Sequence, residues 1–275
     1  ASMTKVLAAH AALKLAEQGK LDLDKPLSSY LPAPYLPDEP QHEKITARVV
    51  LTHTTGLPNW RPKGGPLKVL HDPGTQFGYS GEGFLFLQRV IEQITGEDYE
   101  PFMQRMLLRP LGMKHSSHVW QEGFAATAAA GHDDSGRVKP DRKLYTKPNA
   151  AYTLYCTPRD YAAFVLDLIN PDRGADHSLS AKSVRAMLPP ASPPTDRTPL
   201  SRRGSTGATA PQFGLGWLID PTASGERICH SGSNGTGFRS YVEFDPVKGH
   251  GIIIMTNSTG GDDLWRDLLG RIGVP

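Results

Sequence analysis

The 275-residue sequence is poor in several features that would point to a class of protein at once. It has two cysteines, Cys156 and Cys229, so no disulfide framework supports the fold and the redox compartment stays open. We expect both to be small buried residues. The formal net charge is only +2, and the basic residues form no stripe with interleaved aromatic residues. A nucleic-acid partner is therefore not expected.

Long hydrophobic runs and cofactor motifs are also missing. The apolar runs are far shorter than the ~20 residues that cross a bilayer, so no membrane span is expected. The sequence lacks a charged start followed by an apolar stretch, the mark of a signal peptide. No glycine pattern for a dinucleotide or a phosphate occurs, and the histidines and acidic residues lack the spacing of metal ligands. The sequence predicts neither a cofactor nor a metal site.

The residues that are present suit one large unit or two intimately packed halves. Hydrophobic residues make up 38% of the chain, which is enough to bury a substantial core. Hydrophobic periodicity with start and stop signals predicts helices over 2–18, 84–94, 99–108, 160–169 and 262–272. Strand patterns cover 213–219, 227–230, 238–244 and 251–255, and the proline-rich stretch 189–207 is predicted to be a surface loop.

The chain opens with a Ser-x-x-Lys motif, Ser2 and Lys5, at the start of an apolar helical pattern. A serine hydroxyl is a weak nucleophile at neutral pH and needs a base within hydrogen-bond reach. Residues three apart lie on one face of a helix, so the Lys5 amine can reach the Ser2 hydroxyl. A lone motif of this kind is also compatible with a capping serine and a surface lysine, so it needs support from the rest of the chain.

Two further motifs lie at junctions between predicted elements. Tyr79-Ser80-Gly81 follows a turn signal and precedes a long apolar helical stretch, which puts Tyr79 between a loop and a helix. His230-Ser231-Gly232 ends a strand-like run and leads into the glycine-rich segment 234–237. Both motifs carry side chains that can transfer or hold a proton.

Taken in order, these motifs resemble those of a family of serine hydrolases. It includes class C β-lactamases, D-alanyl-D-alanine carboxypeptidases and the β-lactamase-like family VIII carboxylesterases. The family as a whole is similar to penicillin-binding proteins. Its marks are Ser-x-x-Lys, then Tyr-x-Asn, then Lys-Thr-Gly or the variant His-x-Gly. Supporting stretches also match, including L-T-H-T-T-G-L-P at residues 51–58 and P-L-G-M at residues 110–113. The resemblance covers nearly the whole chain and identifies it as a member of this family.

The resemblance implies an α/β fold of the α+β type, with an antiparallel sheet flanked by helices and a mostly helical half, as in β-lactamases and transpeptidases. Residues 1–23 and 205–275 would form the α/β half with Ser2 and the third motif. Residues 24–204 would form the helical half with Tyr79, the two packing as one unit. Because the family has a helix and strands before its Ser-x-x-Lys helix, we expect a segment before Ala1 in the natural protein. Family membership favours a periplasmic or secreted location.

The resemblance also assigns roles in catalysis. Ser2 would attack the substrate carbonyl and become acylated, and Lys5 would act as the base or as a proton relay to Tyr79. The sequence leaves open which of the two is the base during acylation. His230 would orient Tyr79 or shape the leaving-group side of the site. The backbone N–H groups of Ser2 and Ser233 would form the oxyanion hole.

Gly81, Ser231 and Gly232 are candidates for the substrate pocket, and Gly81 departs from the family pattern. It replaces the asparagine whose amide, in the lactamase members, binds the substrate's amide carbonyl. This replacement, together with His230 in the third motif, favours an esterase or peptidase over an efficient β-lactamase. The following Glu82 is most simply a helix N-terminal acid.

Two residues in or just after the stretch 51–58 are expected to be structural. His53 is predicted to brace the loop that ends at residues 56–58. Trp60 is predicted to be a packing residue, like the other tryptophans, although it follows a loop that could line a cleft.

Three hypotheses follow. The first is an active serine hydrolase whose partner is a small ester, amide or peptide substrate. The second is a penicillin-binding or peptidoglycan-sensing homologue that acylates slowly or not at all, without turnover. The third, an inactive scaffold, would gain weight only if the natural protein had no residues before Ala1. The preferred acyl group and the oligomeric state are not encoded in a readable pattern.

Overall fold

In the computed structural model, which describes residues 1–140, 143–171, 175–194, 210–222 and 225–272, five strands form one sheet. They lie in chain order, and each strand is antiparallel to the next. Their bounds are Gln212–Phe213 (β1), Leu218–Thr222 (β2), Gly225–Ser233 (β3), Arg239–Asp245 (β4) and His250–Thr256 (β5). The predicted antiparallel sheet is confirmed.

Helices supply the rest of the regular structure. They are Thr4–Glu17 (α1), Ala47–Leu51 (α2), Gly81–Thr95 (α3), Tyr99–Met103 (α4), Pro158–Ile169 (α5), Ala181–Met187 (α6) and Gly261–Ile272 (α7). A π-helical turn, Gln104–Leu108, continues α4, and short 3-10 helices lie at Leu27–Tyr30, Pro40–Lys44 and Glu122–Phe124. The helical half that the resemblance implied is therefore present, and its predicted helices agree with the observed ones to within a few residues.

The first helix begins two residues later than the periodicity predicted. Ser2 and Met3 form a turn, and the Ala1 carbonyl accepts hydrogen bonds from both the N–H and the hydroxyl of Thr4. The backbone and hydroxyl of Thr4 thus close the start of α1, so the Ser2 side chain does not cap the helix. At the other end Gly19 adopts a φ of 68°, a left-handed conformation that stops the helix as predicted.

The sheet carries side chains into the core on both faces because residues alternate along each strand. On one face, Tyr241 of β4 stacks on Trp265 of α7 with ring centroids 4.4 Å apart. On the other face, Val242 and Phe244 join the main core with α1 and Trp217. The first helix is consequently buried between the sheet and the helical half, with 11 buried residues in its 14.

The predicted strand 213–219 is wrong as one element, because it is divided into β1 and β2 around a turn. Gly216 in this turn has a φ of 92°, and a Cβ there would lie 2.5 Å from the Ala9 Cβ of α1. Its N–H donates to the Leu51 carbonyl of α2. The chain turns here because it passes against two helices, which the local sequence pattern does not reveal.

Several predictions concern other parts of the chain. The boundary between residues 204 and 205 lies outside the described residues, as does most of the loop 189–207. The division into two halves stays a prediction.

Both cysteines are free, but only Cys229 is fully buried while Cys156 is half-buried. No helix within the described ranges is long and apolar enough to cross a membrane.

Candidate active site

The opening motif brings a hydroxyl and an amine together, as its spacing predicted. Lys5 Nζ lies 3.3 Å from Ser2 Oγ and donates a 2.8 Å hydrogen bond to the carbonyl of Ala151. Ala151 belongs to the loop just before α5, so the amine is held between the first helix and the helical half. A neutral amine in this position can donate one N–H to that carbonyl and turn its lone pair toward the Ser2 hydroxyl.

The surroundings of Lys5 favour that neutral form. The side chain is completely buried, so desolvation lowers the pKa of Lys5 from 10.5 to about 7. Its Nζ lies 4.9 Å from the centroid of the Tyr79 ring and 5.7 Å from that of Phe84. Aromatic rings attract the ammonium form through cation–π contacts, but they stabilise it less than water would. Lys5 can therefore act as a base near neutral pH.

Tyr79 reaches the same place from the start of α3. Its hydroxyl is buried, and burial raises the pKa of Tyr79, while the neighbouring Ser2 side chain lowers it slightly. Among the described residues the hydroxyl makes no hydrogen bond of normal geometry. The phenol is therefore protonated at neutral pH and can donate or relay a proton.

The third motif places a second nitrogen base next to Lys5. His230 is fully buried, and its Nδ1 lies 2.8 Å from the Ser231 carbonyl, which requires a proton on Nδ1. Desolvation, with a smaller contribution from the Lys5 charge, lowers the pKa of His230 to about 3. Its Nε2 is thus an acceptor, and it has no protein partner within the described ranges.

Gly232 allows β3 to pass close to the start of α1. A Cβ on this residue would lie 3.1 Å from the backbone nitrogen of Ser2 and 2.4 Å from Ser240 Oγ. A larger residue would therefore crowd the backbone of Ser2 and the side chain of Ser240. Ser231 is nearly buried on the same strand, while Ser233, the predicted second oxyanion donor, is exposed at the end of β3.

His53 makes structural contacts, and they lie at the second motif. It is fully buried, and its ring stacks on the Tyr79 ring with centroids 4.1 Å apart. Its Nδ1 accepts a 3.1 Å hydrogen bond from the Ser80 N–H, so the chain next to Tyr79 depends on it. Its φ is 54°, a left-handed value that is uncommon outside glycine. His53 braces the second motif rather than the loop at 56–58.

Burial sets the charge state of the three nitrogen bases of the site, Lys5, His53 and His230. Burial lowers the pKa of His53 well below its usual value, and the charge of a protonated Lys5 lowers it further. Both histidines are therefore neutral at pH 7, and the proton that the cluster can gain near neutral pH belongs to Lys5. The site contains bases and hydroxyls close to one serine, a composition that suits acyl transfer.

The position of the missing asparagine is occupied by aromatic surface. The Trp60 ring lies over Gly81, and Trp60 also contacts Tyr152 with ring centroids 5.2 Å apart. Glu82 accepts hydrogen bonds from Tyr35 and Arg61 and forms an ion pair with Arg61. Glu82 lies in the first turn of α3, as expected for a helix N-terminal acid, and its two partners were not predicted.

A cavity of about 950 Å³ adjoins the start of α1. Ala1, Thr4 and Ser240 are among its lining residues, whereas Ser2, Lys5, Tyr79 and His230 are not. Aromatic side chains, including Tyr145 and Tyr152, form part of its wall. The cavity is therefore next to the start of the helix but is not lined by the candidate catalytic side chains. Within the part of the chain that the structure describes, no group of His, Cys, Asp and Glu side chains could hold a metal ion.

Comparison with known structures defines the class of fold. A penicillin-binding protein homologue from Pyrococcus abyssi, described as octameric, matches with a TM-score of 0.75 and 25% identity over 94% of this chain and 61% of that chain. A β-lactamase/D-alanine carboxypeptidase from Yersinia pestis matches with a TM-score of 0.73 and 23% identity over 94% and 77% of the two chains. The latter identity supports a common fold alone. The chain thus has the β-lactamase and transpeptidase fold.

Comparison of sequences gives the family. The model of the family described as Beta-lactamase matches residues 1–272, and the chain belongs to this family. Protein flp of Staphylococcus aureus (strain MRSA252) is 26% identical over 278 residues, which cover 94% of this chain and 52% of that protein. The chain spans about half the length of this curated relative.

Proposed function

We propose that this chain is a serine hydrolase that acts through an acyl-enzyme on small esters or amides, of the carboxylesterase or D-amino-acid peptidase type. The observation that carries the proposal is the 3.3 Å approach of Ser2 Oγ to a fully buried Lys5 amine whose pKa is lowered to about 7. Relatives named as β-lactamases and D-alanine carboxypeptidases support a hydrolytic activity.

In the proposed reaction Ser2 Oγ adds to the substrate carbonyl carbon while the Lys5 amine takes the hydroxyl proton. The backbone N–H groups of Ser2 and Ser233 hold the resulting oxyanion, a contribution of roughly 3 kcal/mol per donor in other enzymes. The bond to the leaving group then breaks, and the leaving atom takes a proton from Lys5 through Tyr79. Water next attacks the acyl-Ser2 carbon, and release of the carboxylic acid restores the Ser2 hydroxyl.

The opposite pKa shifts of Lys5 and Tyr79 favour Lys5 as the base during acylation. A group with a pKa near the working pH is both deprotonated and basic enough to accept the serine proton. Burial shifts the pKa of Tyr79 upward, which favours the protonated phenol as a donor to the leaving group. His230, neutral and with a proton on Nδ1, would offer its Nε2 lone pair to a hydroxyl in the site.

The test compares the protein with its Ser2→Ala variant on p-nitrophenyl butyrate, a D-Ala-D-Ala peptide and a chromogenic cephalosporin. We expect turnover of at least one of the first two, with Ser2→Ala losing roughly three orders of magnitude or more in kcat. Ser29→Ala, at an exposed serine in a 3-10 helix, is the matched control and should keep full activity. Equal rates for the protein and Ser2→Ala would contradict a nucleophilic role.

The alternative of a sensor without turnover is motivated by Gly81, because no amide is present there to bind a lactam substrate. Intact-mass measurement after exposure to a β-lactam separates the two functions. A long-lived adduct of one ligand mass on Ser2 with no hydrolysis of any substrate would favour the sensor. Rapid hydrolysis of an ester with no persistent adduct would favour the hydrolase.

A further inference from the structure

The space for a side chain at position 81 is filled by the indole ring of Trp60. A Cβ added to Gly81 would lie 2.5 Å from Cη2 and 2.6 Å from Cζ3 of Trp60, closer than such contacts occur in proteins. Gly81 does not have a positive φ, so its own backbone conformation would accept a side chain. What opposes one is the Trp60 ring and, at 3.0 Å, the Asn59 carbonyl oxygen.

Trp60 is held there by the residues on either side of it. The Asn59 carbonyl accepts from the N–H groups of Gly81 and Glu82, at 3.1 and 3.0 Å, and the Asn59 side-chain oxygen accepts a 2.9 Å bond from the Gly81 N–H. Arg61 pairs with the buried Glu82 carboxylate at 3.1 Å. Both neighbours of Trp60 are thus anchored to the first turn of α3, so the ring between them has a restricted position.

The ring also lies beside the proposed catalytic groups. Its centroid is 5.9 Å from Lys5 Nζ, and it packs edge to face against Tyr152, which follows the residue whose carbonyl receives the Lys5 amine. Trp60 remains 45% exposed, so part of the indole surface can be reached by a ligand. An asparagine at position 81 would offer amide N–H groups to a substrate, whereas the indole offers apolar surface.

We propose that Trp60, resting on Gly81, is a specificity-determining residue that selects substrates with apolar acyl groups. This inference depends on the proposed hydrolase function and names its substrate class: esters whose acyl chain packs on the indole beside Ser2. The pair Trp60 and Gly81 replaces an amide contact with an aromatic wall. Neither residue supplies or removes a proton in the reaction.

The first experiment measures kcat/KM for p-nitrophenyl acetate, butyrate and octanoate, which differ only in the acyl chain. In Trp60→Ala we expect the ratio of the butyrate to the acetate value of kcat/KM to fall roughly tenfold or more. Trp60→Phe should retain most of the ratio because it keeps an aromatic surface. Val247→Ala, at an exposed apolar residue in the β4–β5 turn, is the control and should leave the ratio unchanged.

An unchanged ratio in Trp60→Ala, or an equal loss on all three esters, would overturn the inference while leaving the hydrolase function intact. Absence of turnover by the unaltered protein would instead overturn the proposed function, and the inferred selectivity with it.

A second measurement tests the packing without relying on activity. Gly81→Ala should lower the melting temperature, because the new methyl group displaces the indole, and it should lower it much less in the Trp60→Ala background, where only the contact with the Asn59 carbonyl remains. Additive effects of the two substitutions would show that Trp60 does not occupy the space at position 81 in solution, and would overturn the inference.

Discussion

At the scale of single residues, one desolvated lysine decides the chemistry of the site. Lys5 is buried among aromatic rings beside Ser2, and its pKa falls to about 7 because water no longer solvates the ammonium. The two buried histidines near Lys5, His53 and His230, have pKa values shifted downward and stay neutral. If the chain is the proposed hydrolase, the pH dependence of its activity should therefore report Lys5 rather than a histidine.

We accordingly expect kcat/KM to rise as pH increases through about 7 and then to level off. Lys5 must be deprotonated to accept the Ser2 proton, so the rate follows the neutral fraction of the amine, whose pKa is lowered to about 7. Lys5→Arg should lose roughly 100-fold or more at every pH, because a guanidinium stays protonated. The measurement is a pH profile of ester hydrolysis from 5 to 9.

Lys25→Arg, at an exposed lysine, is the matched control for that profile. A value of kcat/KM that is already constant from pH 5 upward, or that rises only near pH 9, would contradict the assignment of Lys5 as the base. Circular dichroism of Lys5→Arg establishes that the variant is folded.

At the scale of elements, close approaches between helices and the sheet set the geometry of the site. Gly232 lets β3 lie against the start of α1, and Gly216 lets the turn between β1 and β2 lie against the middle of that helix. Both contacts hold the helix that carries Lys5 and that follows Ser2. The positions of these glycines make physical sense only when the neighbouring element is known.

Gly216→Ala should destabilise the protein by about 2–4 kcal/mol. Its φ of 92° disfavours a side chain, and the new Cβ would lie 2.5 Å from the Ala9 Cβ, so strain and overpacking add. Gly19→Ala is the matched control, since its φ is 68° with open space around it, and it should cost about 1–2 kcal/mol. Urea denaturation measures both.

Ala9→Gly in the Gly216→Ala background provides the complement to that comparison. Removing the Ala9 methyl group should recover part of the lost stability, although glycine inside a helix itself costs about 1 kcal/mol. If Gly216→Ala and Gly19→Ala destabilise equally, the contact with Ala9 contributes nothing.

At the scale of the whole molecule, burial of the Lys5 amine lowers stability. The unfolded chain has a Lys5 pKa near 10.5 and the folded protein about 7, so between these values the unfolded chain binds more protons. Stability therefore rises with pH across that interval. Below about pH 7 Lys5 is protonated in both the folded and the unfolded chain, and the cost of burying its ammonium is at its full value.

Lys5→Met should consequently raise the free energy of unfolding at pH 7 by an amount on the order of a few kcal/mol, while abolishing activity. The gain should shrink as the pH rises from 7 toward 10, because the unaltered protein then loses its penalty. Denaturation of both proteins at pH 7, 8.5 and 10 tests this. Lys25→Met, at an exposed lysine, should show no such pH dependence. A gain that is equal at all three values would rule out proton linkage as its cause.

The sequence by itself determined the elements whose signals are local. The Ser-x-x-Lys spacing put Ser2 and Lys5 within reach of each other, because residues three apart share a helix face. Glycine and proline signals located the ends of α1 and α5, since they act through the conformation of single residues. Three motifs in order were enough to recognise the family.

Only the tertiary structure decided what depends on contacts between distant segments. The stack of His53 on Tyr79 and the indole over Gly81 join residues that are more than 20 positions apart, so no local pattern predicts them. The turn at Gly216 divides a continuous apolar run because α1 and α2 lie against it. The lowered pKa of Lys5 likewise follows from complete burial, a property of the packed molecule rather than of the motif that names the residue.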